Sequence, residues 1–140
     1  MPPEAAWVRS WLAKAEEDLA VARRLLRGPP FFPAAASFHS QQAVEKFLKA
    51  YLVSHQVDFE KVHSIRYLLD LCTRIDKTFE ELRDRAEPLT RYAVMGRYPV
   101  GGADPTEKDA KHSVQTAAVV RTFVLKRLPR SPPSSSNSTA

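Results

Sequence analysis

Ser37-Phe38-His39-Ser40-Gln41-Gln42-Ala43-Val44-Glu45-Lys46-Phe47-Leu48-Lys49-Ala50-Tyr51-Leu52 reads as one helix with two unlike faces. With Ala36 just ahead of it, Ala43, Val44, Phe47, Leu48, Tyr51 and Leu52 recur at steps of three and four, which gathers them on a broad apolar side. His39, Gln42, Lys46 and Lys49, at steps of three, four and three, fall on roughly the opposite side. An imidazole, an amide and two ammonium groups in one stripe are either simply solvated, as charged helix faces usually are, or offered to an anion or a second chain.

Upstream, Val8, Leu12, Ala15, Leu19, Ala22 and Leu26 step by four and three, predicting a first helix from about Glu4 to Leu26. Trp7 and Trp11 widen that seam and are expected in the core or at an interface. Gly28-Pro29-Pro30 ends it, since glycine supplies the left-handed cap and proline cannot continue the ladder. The second helix is predicted from Pro33, a good first-turn residue, to about His55. Ile65, Leu68, Leu69, Cys72 and Ile75 mark a shorter third helix. Thr78 with Glu81 reads as a capping box opening a fourth, with core positions Leu82, Ala86 and Leu89 and a kink or end at Pro88. Val94 to Ala103, with Gly96, Pro99, Gly101 and Gly102, reads as a loop. Asp104-Pro105-Thr106-Glu107 then supplies an N-cap, a first-turn proline and an acidic third residue, and Ala110, Val114, Ala117, Ala118, Val124 and Leu128 carry a last helix inward. No alternating apolar stretch predicts a strand. The expectation is an all-α, antiparallel up-and-down bundle of four to five helices over residues 1–128, followed by a disordered Pro/Ser-rich tail over 129–140.

At 140 residues the chain has room for one domain with a real core, and 44% hydrophobic with 26% charged residues argues against global disorder. A net charge of +5 favours anionic partners. Arg121, Lys126, Arg127 and Arg130 follow the last acidic residue, Asp109; they either complement a helix C-terminus or attract anions. Cys72 is the only cysteine, so no intrachain disulfide forms and a reducing compartment is expected. No signal peptide and no apolar run of membrane-spanning length are present, and a cytoplasmic location is expected. His39, His55, His63 and His112 are scattered, no pair sits at helical metal-ligand spacing, and Gly101-Gly102 lacks the Gly-Lys-Ser/Thr of a phosphate loop. No metal or cofactor is expected.

The wording Phe38-His39-Ser40-Gln41-Gln42-Ala43-Val44-Glu45-Lys46-Phe47-Leu48 resembles the second helix of the HEPN family of small helical proteins. Ala15 to Asp18-Leu19 is similar to the first helix, His63 to Leu68 to the opening of the third, and Arg97-Tyr98-Pro99 to the loop before the last. The resemblance covers residues 7 to about 128, and its most specific element is Gln41-Gln42-Ala43-x-Glu45-Lys46. It implies the helical bundle, a homodimer, and a minimal nucleotidyltransferase as partner in a toxin–antitoxin-like or nucleotide-handling pair.

Ribonuclease members of that family carry Arg, four to six residues, then His, with the arginine as charge clamp and the histidine for proton transfer or orientation. None of the four histidines here has an arginine five to seven positions before it. That argues against ribonuclease action by the family's usual route, though a residue from elsewhere could replace the imidazole. What remains is Arg91-Tyr92 and Arg97-Tyr98. Arginine offers a fork for phosphate oxygens and tyrosine a stacking face; alternatively, Tyr98 plugs the bundle end while Arg97 caps carbonyls. Asp104 reads as an N-cap and not as a catalytic acid. The expected nucleotide- or RNA-binding set is His39, Gln42, Lys46, Arg91, Arg97 and Tyr98, in a binding module; an endonuclease with a degenerate site and a structural adaptor are the alternatives.

Overall fold

The computed structural model describes residues 3–93 and 104–129. Three long helices carry the architecture: α1 (Pro3–Arg24), α2 (Pro33–Ser54) and α5 (Glu107–Arg127), with α3 (Ile65–Ile75) and the short α4 (Arg83–Ala86) between them. Among the described residues there is no strand, so the all-α expectation holds. The expected loop over 94–103 and the tail beyond Pro129 lie outside the described residues.

α2 is the central post. It packs against α1, α3, α5 and the 3-10 turn that follows α4, and every member of its predicted apolar face, Ala36, Ala43, Val44, Phe47, Leu48, Tyr51 and Leu52, is buried. α1 lies antiparallel to it, joined through Gly28 at φ +54°, the left-handed conformation that glycine adopts without steric cost. Ala15, Leu19 and Ala22 of α1 are buried as the seam predicts, whereas Trp7 is 60% exposed and belongs to no core. Phe79 joins the ends of the two other long helices, with ring centroids 4.5 Å from Tyr51 of α2 and 4.9 Å from Phe123 of α5. The C-terminal ends of α2 and α5 therefore meet, so these two helices point the same way.

Two helix starts differ from the sequence reading. The predicted capping box on Thr78 and Glu81 does not form. Asp76, two residues earlier in extended conformation, caps instead, its carboxylate accepting from the Thr78 N–H at 2.9 Å and the Thr78 hydroxyl at 2.6 Å. The predicted fourth helix is consequently broken into a 3-10 turn (Lys77–Leu82), α4, and a second 3-10 turn (Glu87–Tyr92). Pro88 sits at the start of that second turn, where its missing N–H costs nothing; within a continuing helix its ring would clash with the carbonyl of Asp84. Arg83 ties the pieces together through Glu80, Glu87 and Asp70 at 2.6–2.9 Å, and these partners raise its already high pKa further. At α5 the cap is Thr106, not Asp104. Thr106 accepts from the Asp109 N–H at 3.0 Å while Asp109 accepts from the Thr106 N–H at 2.9 Å. A reciprocal box satisfies two orphan donors at once, which a lone Asp104 cap cannot do.

Cys72 is fully buried, and desolvation pushes its thiol up to about 12. Native protein at pH 8 is expected to resist alkylation by iodoacetamide, with modification appearing only as denaturant unfolds the chain; rapid native labelling would show that the α3 core opens freely.

Candidate functional site

The polar stripe of α2 turns largely inward. His39 and Lys46 are two helical turns apart on one face, and the antiparallel α1 places Asp18 between them. His39 Nδ1 lies 2.9 Å from Asp18 Oδ1 and Lys46 Nζ 2.5 Å from Oδ2. Asp18 is 9% exposed, so its charge needs both partners. Gln42, between them in sequence, donates from Nε2 to Gln41 Oε1 at 2.7 Å. The side chains expected to be solvated or presented outward are instead committed to contacts within the α1–α2 pair. The Lys46 ammonium is already paired with the Asp18 carboxylate, which weakens the group as an anion site.

A second network sits deeper. Glu45 is 2% exposed and Lys49 7%. The Glu45 carboxylate accepts from Gln41 Nε2 at 2.8 Å and Lys49 Nζ at 2.7 Å, with His63 Nδ1 at 3.1 Å. The Lys49 ammonium also lies 5.3 Å from the Trp11 ring centroid and 5.5 Å from that of Phe59, and these two rings meet edge to face at 6.2 Å. Gln41, Glu45 and Lys49 are spaced four apart, so the sequence did carry the signal for this i, i+4 chain. The contribution of His63, from the connector, had none.

Arg91 lies on the surface, one residue before the end of the second 3-10 turn. Its Nη2 donates to the Tyr92 phenol oxygen at 2.8 Å, and its guanidinium carbon lies 4.9 Å from the centroid of that ring. Tyr92 is buried, so the arginine is braced by an anchored aromatic side chain while the guanidinium remains exposed. Across from it, the Asp109 carboxyl is held below the usual range, first by the backbone and side-chain hydrogen bonds with Thr106 and further by the positive charge of Arg91. Arg97 and Tyr98 lie outside the described residues. Among the described residues, no hydrogen bond or ion pair connects Arg91 with His39, Gln42 or Lys46, so the expected set divides into an internal group and an arginine edge. No three His, Cys, Asp or Glu side chains among the described residues are grouped to hold a metal ion, and no helix there is long and apolar enough to cross a membrane.

Comparison with known proteins matches residues 8–128 to the HEPN domain. The chain is 32% identical over 99 residues to a Methanocaldococcus jannaschii protein named "Putative toxin MJ1304", a match that spans 66% of this chain and 64% of that protein's length. Its fold is similar to the crystal structure of ST0689, an archaeal HEPN homologue, with a TM-score of 0.71 and 26% identity over 87% of this chain and 98% of that one. It is similar also to TT1696 from Thermus thermophilus, with a TM-score of 0.70 and 29% identity over 86% of this chain and 98% of that one.

Proposed function

The chain belongs to the HEPN domain family, and from that premise we propose that it is a helical binding module, working as a homodimer, that takes a nucleotide or RNA phosphate at the Arg91 edge. The observation that carries this reading is the exposed Arg91 guanidinium, braced by Tyr92 and leading directly into the segment that holds Arg97 and Tyr98. Arginine in such a setting is preorganised for phosphate oxygens. His39 and Lys46 support the site from within by fixing α1 against α2 through Asp18, and Gln42 braces Gln41 beside them. A minimal nucleotidyltransferase is the proposed protein partner, in a toxin–antitoxin-like pair; the toxin named among its relatives supports that direction.

Homodimerisation is supported by Trp7, a large apolar side chain left 60% exposed on α1. Light scattering at tens of micromolar is expected to give about twice the 15.8 kDa chain mass; a value at the chain mass would reject the dimer.

A second reading, an endonuclease with an altered site, draws on His63. Its side chain is 59% exposed while its Nδ1 faces the buried Glu45 carboxylate, the way an imidazole is oriented for proton transfer. Lys49 already neutralises that carboxylate, however, and the family's Arg-x4–6-His pattern is missing. Purified protein in chelator is expected to leave transfer RNA intact. Cleavage that His63→Ala abolishes would establish the endonuclease reading instead.

A further inference from the structure

The corner where α1 gives way to α2 carries uncompensated positive charge beside exposed rings. Arg23, Arg24 and Arg27 are exposed, and among the described residues none pairs with a carboxylate. No Asp or Glu occurs between Asp18 and Glu45, and those two are already engaged by Lys46 and Lys49. The local geometry gathers the cations. The Leu26 and Arg27 N–H groups donate to the carbonyls of Arg23 and Arg24, each at 3.2 Å, so the final turn has tightened to 3-10 form. Arg24 and Arg27 are thereby held one tight turn apart, both exposed.

Gly28 then reverses the chain, and the Phe32 N–H donates to the Leu25 carbonyl at 3.0 Å. That bond folds the connector back over the end of α1 and brings Phe31 and Phe32 to the arginine turn, 38% and 51% exposed. Pro29, Pro30 and Pro33 restrict the backbone around the two rings, so little freedom is lost when something stacks on them. A helix C-terminus accounts for arginines; it does not account for two adjacent uncovered phenylalanines.

We propose that this corner is a platform for single-stranded nucleic acid, with Arg24 and Arg27 holding backbone phosphates and Phe31 and Phe32 stacking on bases. The platform stands on its own observations and does not depend on the Arg91 edge. A strand fits better than an anionic membrane, because α1 turns its apolar seam into the core and leaves no amphipathic face to lie in a bilayer.

Fluorescence anisotropy of a labelled oligouridylate with the full chain, over a range of salt, tests the platform. Arg24→Gln with Arg27→Gln is expected to weaken binding about tenfold or more and to flatten the dependence of log affinity on log salt by about 1.4, since each of the two phosphate contacts on a single strand contributes about 0.7. Phe31→Ala with Phe32→Ala is expected to weaken binding about thirtyfold or more while leaving the salt slope unchanged, and Phe31→Tyr with Phe32→Tyr to restore it. All these positions are exposed, so thermal melts should match the wild type. The proposal is overturned if the oligouridylate does not bind, or if the phenylalanine pair is dispensable. It is equally overturned if the variants lose binding only to phosphatidylserine vesicles.

Discussion

Glu45→Ala is expected to destabilise the protein by about 3–5 kcal/mol, the usual cost of leaving a buried charge without its partner. The stranded group is Lys49, 7% exposed and enclosed by Trp11 and Phe59, with no other carboxylate among the described residues within ion-pair distance. Removing both charges together should behave differently. Glu45→Met with Lys49→Met exchanges a desolvated ion pair for apolar volume and is expected to recover most of the loss. Urea unfolding of the three proteins separates these effects. A near-neutral Glu45→Ala, or a double variant no better than the single one, would mean that water reaches Lys49 freely and that the pair is not an internal brace.

Phe79→Ala should be comparably costly, at about 3–5 kcal/mol, for a different reason. Phe79 is fully buried, and its ring bridges Tyr51 and Phe123 where the C-terminal ends of α2 and α5 converge. It stands on a 3-10 turn stapled by Asp76 and Arg83, a backbone poorly able to collapse into the resulting void. The melting temperature should fall by about ten degrees or more. A loss of only a degree or two in a thermal scan would place the stability of the bundle elsewhere, in the α1–α2 pair.

The sequence was most legible where periodicity and punctuation agree. α2 begins at Pro33 as predicted, its apolar face is wholly buried, and Gly28 adopts the left-handed conformation expected of it. Helix starts were less legible because several residues compete for one cap. Asp104 and Thr106 are both good capping types, and only the reciprocal bond with Asp109 decides between them. Thr78 lost to Asp76 in the same way. The polar stripe was read as a face open to solvent or a partner, whereas Lys49 turns onto Glu45 and His39 and Lys46 turn onto Asp18. Asp18 lies on another helix, and only the antiparallel packing of α1 on α2 reveals that His39 and Lys46 converge on it. Arg91-Tyr92 was visible in the sequence as an arginine beside an aromatic residue, whereas Arg97-Tyr98 lies outside the described residues. The bracing of this arginine edge by a buried phenol required the fold.

That edge is the centre of the functional account, and calorimetric titration with a mononucleotide panel and a short RNA, run beside thermal melts, tests it most directly. The wild type should bind, and Arg91→Ala and Arg97→Ala should each weaken binding about ten- to a hundredfold, the loss of a charge-assisted hydrogen bond, while the melts stay unchanged. Affinity should also fall as salt rises, because exposed charges are screened. Unchanged affinity in both variants, together with a lowered melting temperature, would contradict the account and make these arginines structural caps of the bundle.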